Sequence, residues 1–438
     1  MKTKSTCPTC KKVIEAEKIV EGQYVYMTKT CPEHGDFKIL LSKDKKRFLE
    51  TPFTSAGKKV HEFQTDCDKG CPHDCGFCPE HNQHLCSVLI EITGRCNLRC
   101  PICYFGDFEQ TDISVDEFKA RLDTAMRAEA GELDVLQISG GEPTLHPQFC
   151  EILEEACSQN IKRVVINTNG LSLMEDEKVY NYVKKLKDRC EIYLQFDGWN
   201  EKANTFLRGS NLANKKEEIV NKLNKDDIKI CLAVTVLKDN LEELPKILKY
   251  ACDVRNITGI TYQRFTKTGD GAKQTQEDSL VQEDLLYAIE TKGYIKYKDL
   301  VPLPCSHENC TSIGFVFVVD KKIYSIADFI DYEEHKDIIK DKIAFESGIL
   351  EYLEKQLNCS CCCSVLKNKL PIVEKLKEFT KGESSIYKDM KVLRIVVKNF
   401  QDAYTFDTDR AKKCCIGVSI GNNKIIPFCV NNIFRGNY

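Results

Sequence analysis

No apolar run in this 438-residue chain approaches the roughly twenty residues of a membrane span. "GFVFVV" at 314–319 is among the longest and is short enough to be a strand. The amino-terminal "MKTKSTCPTCKK" lacks the apolar core of a secretory signal. Charge of one sign is not in excess: the formal net charge is −3, and the lysines are interleaved with acids. That pattern excludes a nucleic-acid binder held by bulk charge and leaves a solvated surface. Internal repeats and low-complexity tracts are absent too. The expectation is a cytoplasmic protein with no transmembrane segment and no nucleic-acid partner, whose membrane contact, if any, is peripheral and through its substrate. Hydrophobic residues make up 42% and charged residues 29%, an ordinary balance for a soluble chain of about two to three domains.

Cysteine is the reverse case. The chain has 25, an odd number, which argues against a disulfide framework. Cys150, Cys157, Cys190, Cys231 and Cys252 stand singly within helical or strand-like patterns and read as small core hydrophobes. The other twenty fall in clusters, and clustered thiols in a reducing compartment bind metal.

Between about 88 and 265 strand-like runs alternate with helical ones. The strands are "SVLIEIT" (87–93), "DVLQIS" (134–139), "RVVINT" (163–168), "EIYLQF" (191–196), "IKICLAVTVL" (228–237) and "GITYQRF" (259–265). They are rich in valine and isoleucine, as strands buried on both faces are. Ser114 and Glu117 form a capping-box pattern ahead of a helix whose Val115, Phe118, Leu122 and Met126 share one face. Pro147 sits near the start of the next helix, and Pro245 either starts or interrupts a later one. Such alternation predicts right-handed βαβ units and a parallel sheet. Six units are too few for a full eight-stranded barrel, so a partial (β/α)6 barrel is expected, with ligands beyond the carboxyl ends of its strands.

"EITGRCNLRCPICYFG" (91–106) follows the first strand and so lies at that end. Structural zinc takes four protein ligands. Three thiols alone, Cys96, Cys100 and Cys103, leave one position of a cubane iron–sulfur cluster open. "ISGGEPTLHP" (138–147) follows the second strand with two glycines, which permit close backbone approach to a ligand. "NTNG" (167–170) and "LQFDG" (194–198) end the third and fourth strands, and Gln263 ends the sixth.

Outside this core, Cys7, Cys10 and Cys31, with His34 or a more distant cysteine, have the two-pair spacing of zinc ribbons and rubredoxins. "DCDKGCPHDCGFCPEHNQHLC" (66–86) carries Cys67, Cys71, Cys75, Cys78 and Cys86, besides His73, His81 and His84. Cys71, Cys75, Cys78 and Cys86 suffice for a second 4Fe–4S cluster, with Cys67 the spare; zinc held by Cys and His is the alternative. A further auxiliary cluster is expected from Cys305, Cys310, Cys359 and one later cysteine. Some of Cys361, Cys362, Cys363, Cys414 and Cys415 are then spares.

"CNLRCPICY", GGEP, "NTNG" and "QFDG", in that order, resemble the radical S-adenosylmethionine (SAM) superfamily. With the "CPTC…KTCPEHG" head, "GCPHDCGFCPEH", "LPCSHENC" and a late "IPFC", the chain is similar to the branch containing archaeal tetraether lipid synthases and relatives labelled pterin methyltransferases. The resemblance implies a 4Fe–4S cluster on Cys96, Cys100 and Cys103, whose open iron takes SAM. It implies that Gly140, Gly141 and Glu142 hold the SAM amino group and that Asn167, Asn169, Gln195 and Asp197 line the cavity, with no catalytic side chain beyond the cluster ligands. It implies an enzyme that reductively cleaves SAM to a 5′-deoxyadenosyl radical and abstracts hydrogen from an unactivated carbon of a small molecule or lipid. Carbon–carbon bond formation on a lipid chain is one outcome; a radical SAM methylase or peptide-modifying enzyme is the alternative. A donor such as ferredoxin or flavodoxin would supply electrons. The expected organisation is a zinc-ribbon- or rubredoxin-like segment over 1–64 holding zinc or one iron, and a cysteine-cluster linker over 65–87. A radical SAM core follows over 88–290, and a cysteine-rich auxiliary region over 291–438. The rival from another class is a multi-zinc structural protein, with cysteine groups as folding staples.

Overall fold

A computed structural model describes residues 1–51, 57–106, 111–274, 280–290, 295–319, 321–328, 332 and 391–436. Cys359, Cys361, Cys362 and Cys363 lie outside these residues.

The first 42 residues form an antiparallel sheet of β1 (Lys2–Thr6), β2 (Val13–Glu21), β3 (Tyr24–Cys31) and β4 (Gly35–Ser42), in that order. The cysteines of this segment stand out in the sequence; its strands do not. Gly22, at positive φ, turns β2 into β3, which carries Cys31 back beside Cys10, and Gly35, also at positive φ, ends the turn that holds His34.

The six expected core strands are present: β5 (Ser87–Thr93), β6 (Leu133–Gly140), β7 (Ile161–Thr168), β8 (Cys190–Gln195), β9 (Ile230–Val236) and β10 (Ile257–Arg264). They are parallel neighbours in sequence order, as repeated βαβ units require. Ser114 caps the helix Val115–Ala128 by accepting the Glu117 N–H at 3.1 Å, while the Glu117 carboxylate turns to Arg121 at 2.8 Å. Pro245 stands in the first turn of the helix Leu244–Asp253, so it starts that helix rather than breaking it.

After residue 300 come β11 (Val301–Pro302), β12 (Thr311–Val319), β13 (Lys322–Ser325), β14 (Lys391–Lys398), β15 (Ile416–Gly421) and β16 (Lys424–Pro427). Two of them extend the parallel sheet at opposite edges. β14 pairs with β10, and β15 pairs with β5. β12 and β16 then add antiparallel strands outside these.

The strand pleat divides the sheet into two chemistries. Val88, Ile90, Ile92, Leu136, Ile138 and Ile166 point one way, are fully buried, and pack under the helices. Residues at the alternate positions point inward and are largely polar: Glu91, Gln137, Ser139, Asn167, Gln195 and Gln263. Both faces are covered, as the sequence suggested, but one covers a core and the other a cavity.

The amino-terminal sheet is seated on the carboxyl-terminal segment by buried polar contacts. Lys29 Nζ donates to Ser5 Oγ, Thr6 O, Ala403 O and Tyr404 O at 2.7–3.0 Å, and burial lowers its pKa to about 8. Asp407, 2% exposed, accepts from Thr3 Oγ1 at 2.8 Å and pairs with Lys18 at 2.5 Å. Burial alone would raise its carboxyl, but Lys18, then Thr3 and Arg410, outweigh that and hold it below the usual range. A depressed folded pKa contributes stability above the ordinary carboxylate value of about 4 that is lost as pH falls below it. Asp407→Asn should therefore cost about 2 kcal/mol at pH 7, the scale of a charged hydrogen bond. The gap between variant and wild-type urea midpoints should narrow as pH falls from about 4 through the depressed folded value; an equal gap at pH 7 and pH 3 would refute this account.

Candidate active site

The carboxyl ends of β5 to β8 converge on one cavity of ≈ 340 Å³. The loop leaving β5 brings Cys96, Cys100 and Cys103 to its wall, and a turn in which the Cys103 N–H donates to Cys100 O at 3.1 Å sets the spacing of the last two. Burial pushes the Cys96 thiol up to about 11, with Glu142, Cys100 and Cys103 adding to it. Burial raises Cys100 as well, opposed by the Arg208 guanidinium that reaches it. A soft metal centre would supply the positive charge that holds such buried thiols as thiolates.

The glycine pair explains itself at the base of this loop. The Gly141 N–H donates to Thr93 O at 2.8 Å, and the Glu142 N–H donates to Arg95 O at 2.7 Å. A Cβ on Gly140 would stand 2.3 Å from Thr93 O, and one on Gly141 2.3 Å from Arg95 O. Gly140 is also at φ +137°. The close approach that two glycines permit is thus, in part, the approach of the cysteine loop itself; both glycines also line the cavity.

Glu142 is 1% exposed and fully engaged. One carboxylate oxygen accepts from Thr144 Oγ1 at 2.6 Å and Thr168 Oγ1 at 2.7 Å, the other from the Asn169 N–H at 2.8 Å. Burial still raises its pKa against those donors. The side chain staples the ends of β6 and β7. Asn169 extends the staple to the cysteine loop, its Nδ2 donating to Asn97 Oδ1 at 2.7 Å. Asn167 donates to Gln137 Oε1 at 3.0 Å, while its own Oδ1 is buried on the cavity wall with no partner among the described residues. Such an acceptor fits a bound ligand.

Gln195 and Gln263 line the cavity; Asp197 stands one step behind it. Its carboxylate accepts from Arg208 Nε at 2.7 Å, Arg208 Nη2 at 3.0 Å and the Thr235 N–H at 2.8 Å. Arg208, which does line the cavity, was missed in the sequence, as was Lys216, buried and donating to Asn169 O. An arginine before a glycine at a helix end carries no signal of its role. At the far end of the strands Glu191 lies between Arg163 (3.6 Å) and Arg394 (3.8 Å), so the floor is charged. The helix Phe428–Phe434 closes one side, and Arg435 beyond it makes two 2.7 Å hydrogen bonds to Glu91 and lies over the Phe105 ring.

The remaining thiols divide into groups. Cys7, Cys10, Cys31 and His34 have their ligand atoms within 4.8 Å of one another, with Cys10–Cys31 at 3.9 Å and Cys31–His34 at 3.5 Å. Those are the edges of a tetrahedron around one ion with bonds of about 2.3 Å to sulfur. Cys71 and Cys75 are neighbours, as are Cys67 and Cys78. Cys86 does not close with Cys71, Cys75 and Cys78. It meets Cys305 and Cys415, all three buried with sulfurs within 4.8 Å. Cys310 is turned from Cys305 and accepts from Arg410 Nε at 3.3 Å. Of the solitary cysteines, Cys157, Cys190, Cys231 and Cys252 are buried and Cys150 packs against the core.

The family described as the Radical SAM superfamily matches residues 90–251, and the HMPTM N-terminal zinc ribbon domain matches residues 1–43. The chain is 30% identical, over 98% of its length and 93% of the relative's, to the 7,8-dihydro-6-hydroxymethylpterin dimethyltransferase of Methanocaldococcus jannaschii. It is 28% identical to the PqqA peptide cyclase of Bradyrhizobium diazoefficiens over 38% of its own length and 43% of the relative's. Among solved structures, Streptococcus suis SuiB bound to SAM has a TM-score of 0.40 at 17% identity, covering 47% of this chain and 46% of that one. Among the described residues no helix is long and apolar enough to cross a membrane.

Proposed function

We propose, from the premise that this chain belongs to the radical SAM superfamily, that it alkylates a carbon of a polar, ring-sized substrate, with methylation of a reduced pterin as the leading case. The observation that carries this is the set of amides and hydroxyls on the strand-lined part of the cavity wall, Gln137, Asn167, Tyr193, Gln195, Thr261 and Gln263, set among apolar lining such as Leu89, Val135, Val165 and Phe428. Amides and hydroxyls in a confined site suit a ligand edged with donors and acceptors. Carbon–carbon bond formation on a lipid chain would call for a long apolar channel. The full-length relative is named for a pterin, which supports the same choice. Peptide modification is the second reading, favoured by the peptide cyclase among the partial relatives.

Cys96, Cys100 and Cys103 would hold a 4Fe–4S cluster and leave one iron to SAM; when bound, the pair supplies reductive cleavage to a 5′-deoxyadenosyl radical and hence hydrogen abstraction. The chain's own residues bind, orient and shield. Backbone groups at Gly140, Gly141 and Glu142 would face the SAM amino group, since the Glu142 carboxylate is already committed to Thr144, Thr168 and Asn169. Arg208, fixed by Asp197, and Lys216 place positive charge beside Cys100 where a SAM carboxylate would sit. Asn169 and Gln195 border that pocket, and Asn167 offers its unpartnered oxygen to the substrate. The Phe428–Phe434 helix and Phe105 exclude water from a radical step. Radical SAM enzymes need an electron donor; we assign a cytoplasmic ferredoxin or flavodoxin to that role. The ribbon would hold zinc or one iron on Cys7, Cys10, Cys31 and His34. Cys71, Cys75 and Cys78, with Cys67 beside Cys78, would hold an auxiliary centre.

The test is anaerobic. Reconstituted protein, SAM, reductant and a one-carbon donor (a second equivalent of SAM, leaving as S-adenosylhomocysteine, or a methylene-bearing reduced pterin cofactor) are offered a 6-hydroxymethyl-7,8-dihydropterin, a peptide or an alkyl lipid. The expected result is 5′-deoxyadenosine with a pterin product heavier by a one-carbon unit. Turnover confined to the lipid or the peptide would displace the pterin reading.

A further inference from the structure

The amino-terminal ribbon reaches the cavity through one residue that the reaction does not account for. Lys11 follows the Cys7–Cys10 pair at φ +57°. Its N–H donates to Cys7 O at 2.9 Å, and the Cys7 N–H donates to Lys12 O at 2.9 Å. The turn that spaces the two thiols therefore also places Lys11. From there its Nζ donates to Ile433 O at 2.7 Å, across 422 positions of sequence.

Ile433 lies in the last turn of the helix Phe428–Phe434. The last carbonyls of a helix have no partner within it, and the helix dipole leaves them partly negative, so a lysine is well matched there. A helix of seven residues has too few internal bonds to persist by itself in water. Its place has to come from what packs against it, and the ribbon supplies two ties. One is Lys11. The other runs through β1, where Ser5 Oγ donates to Phe406 O at 2.5 Å, and the Phe406 ring meets Phe434 edge to face with centroids 5.7 Å apart. Val430, Ile433 and Phe434 share one buried apolar cluster with Phe406.

Other side chains of the same helix belong to the cavity wall. Phe428 and Asn432 line it. The Phe428 ring stands edge to face with Tyr104, the residue after Cys103, at 6.2 Å. Asn432 Oδ1 accepts from Arg435 Nη2 at 3.2 Å, and Arg435 is the residue bonded twice to Glu91. A shift of the helix end would thus be felt at the cysteine loop and at the end of β5.

We propose that Lys11 is a positioning residue for the reaction: through Ile433 it holds the Phe428–Phe434 helix as the closed wall of the cavity, so that the ribbon supports SAM binding from outside the site. Its bearing on SAM rests on the radical SAM reading of that cavity. Lys11 itself touches no reacting atom.

Lys11→Met keeps an unbranched side chain and removes the charge and the donor; Lys11→Arg keeps both. The reconstituted full chain and the two variants are assayed for SAM cleavage with dithionite as electron source, and in parallel by hydrogen exchange. Lys11→Met should raise the KM for SAM about fivefold and speed exchange at 431–435 by a similar factor, the effect of losing one partly exposed charged hydrogen bond. Its kcat should hold, because a raised KM with unchanged kcat marks lost binding rather than lost chemistry. Lys11→Arg should restore both values, and β2 and β3 should stay protected throughout. An unchanged KM with unchanged exchange at 431–435 in Lys11→Met would overturn the proposal. So would a fall in kcat at fixed KM with loss of protection in β2 and β3, which would make Lys11 a residue of ribbon stability alone. If the wild-type chain forms no 5′-deoxyadenosine, the radical reading fails separately, and exchange at 431–435 still decides whether Lys11 holds the helix.

Discussion

Replacing Cys96, Cys100 and Cys103 together with alanine is expected to lower 5′-deoxyadenosine formation by about a thousandfold or more, equivalent to at least about 4 kcal/mol of barrier. The three thiols share one loop and one cavity wall, so they act as one ligand set and their losses should not add. A single Cys100→Ala should already cost most of the effect, and the triple variant little beyond it. The loop does not depend on a metal for its anchorage. Gly94 N donates to Thr111 O at 3.0 Å, Asn97 accepts from Asn169, and Arg95 pairs with Asp112 at 2.8 Å. The triple variant should therefore keep its fold, checked by an unchanged circular dichroism spectrum. SAM cleavage persisting at the wild-type rate in a folded triple variant would remove the basis for the proposed reaction.

The parts of this site that were legible in the sequence are those carried by local spacing. Three cysteines within eight residues, a glycine pair after a strand and asparagines at strand ends all speak through their immediate neighbours. The six parallel strands were readable for the same reason: each is a short apolar run bounded by a helix pattern. What could not be read is what meets across the chain. "VLRIVV" at 392–397 reads as a strand, but nothing in it says that it pairs beside β10, more than a hundred residues earlier. Cys86 lies near Cys71, Cys75 and Cys78 in sequence, yet it immediately precedes β5, and the pairing of β5 with β15 sets it beside Cys415, whose carbonyl accepts its N–H at 2.9 Å. In the adjacent pair Cys414 and Cys415, just ahead of β15, one sulfur lies 4.0 Å from Cys305 and the other donates to the Ile416 carbonyl. A sequence shows two equal thiols there; only the register separates them. Arg208 illustrates the same limit, because its role rests on Asp197 and Cys100, which belong to two other strand ends.

The second large effect should come from Asp197→Asn, although Asp197 does not face the cavity. The carboxylate is 2% exposed in its side chain and holds the Nε–Nη2 edge of the Arg208 guanidinium, itself 12% exposed, with both oxygens. An asparagine keeps the shape, so the Thr235 N–H still finds an oxygen, but the negative charge is gone. Arg208 cannot shed its proton, and a buried guanidinium without its counter-charge typically costs about 3–5 kcal/mol. A folded chain can relieve that cost only by moving Arg208 toward another anion, and Cys100 is the group it already touches. Two consequences follow together: a lower denaturation midpoint, and a raised KM for SAM as the cation leaves its bidentate seat. The double variant Asp197→Asn/Arg208→Met separates this from simple loss of packing. With the uncompensated charge removed as well, stability should recover by about half or more of the single-variant loss, because the two sites share one interaction. SAM binding should stay weak, because the cation is then absent. If instead the double variant is as unstable as the sum of the two singles, Asp197 contributes through packing alone and Arg208 is not its charge partner in solution.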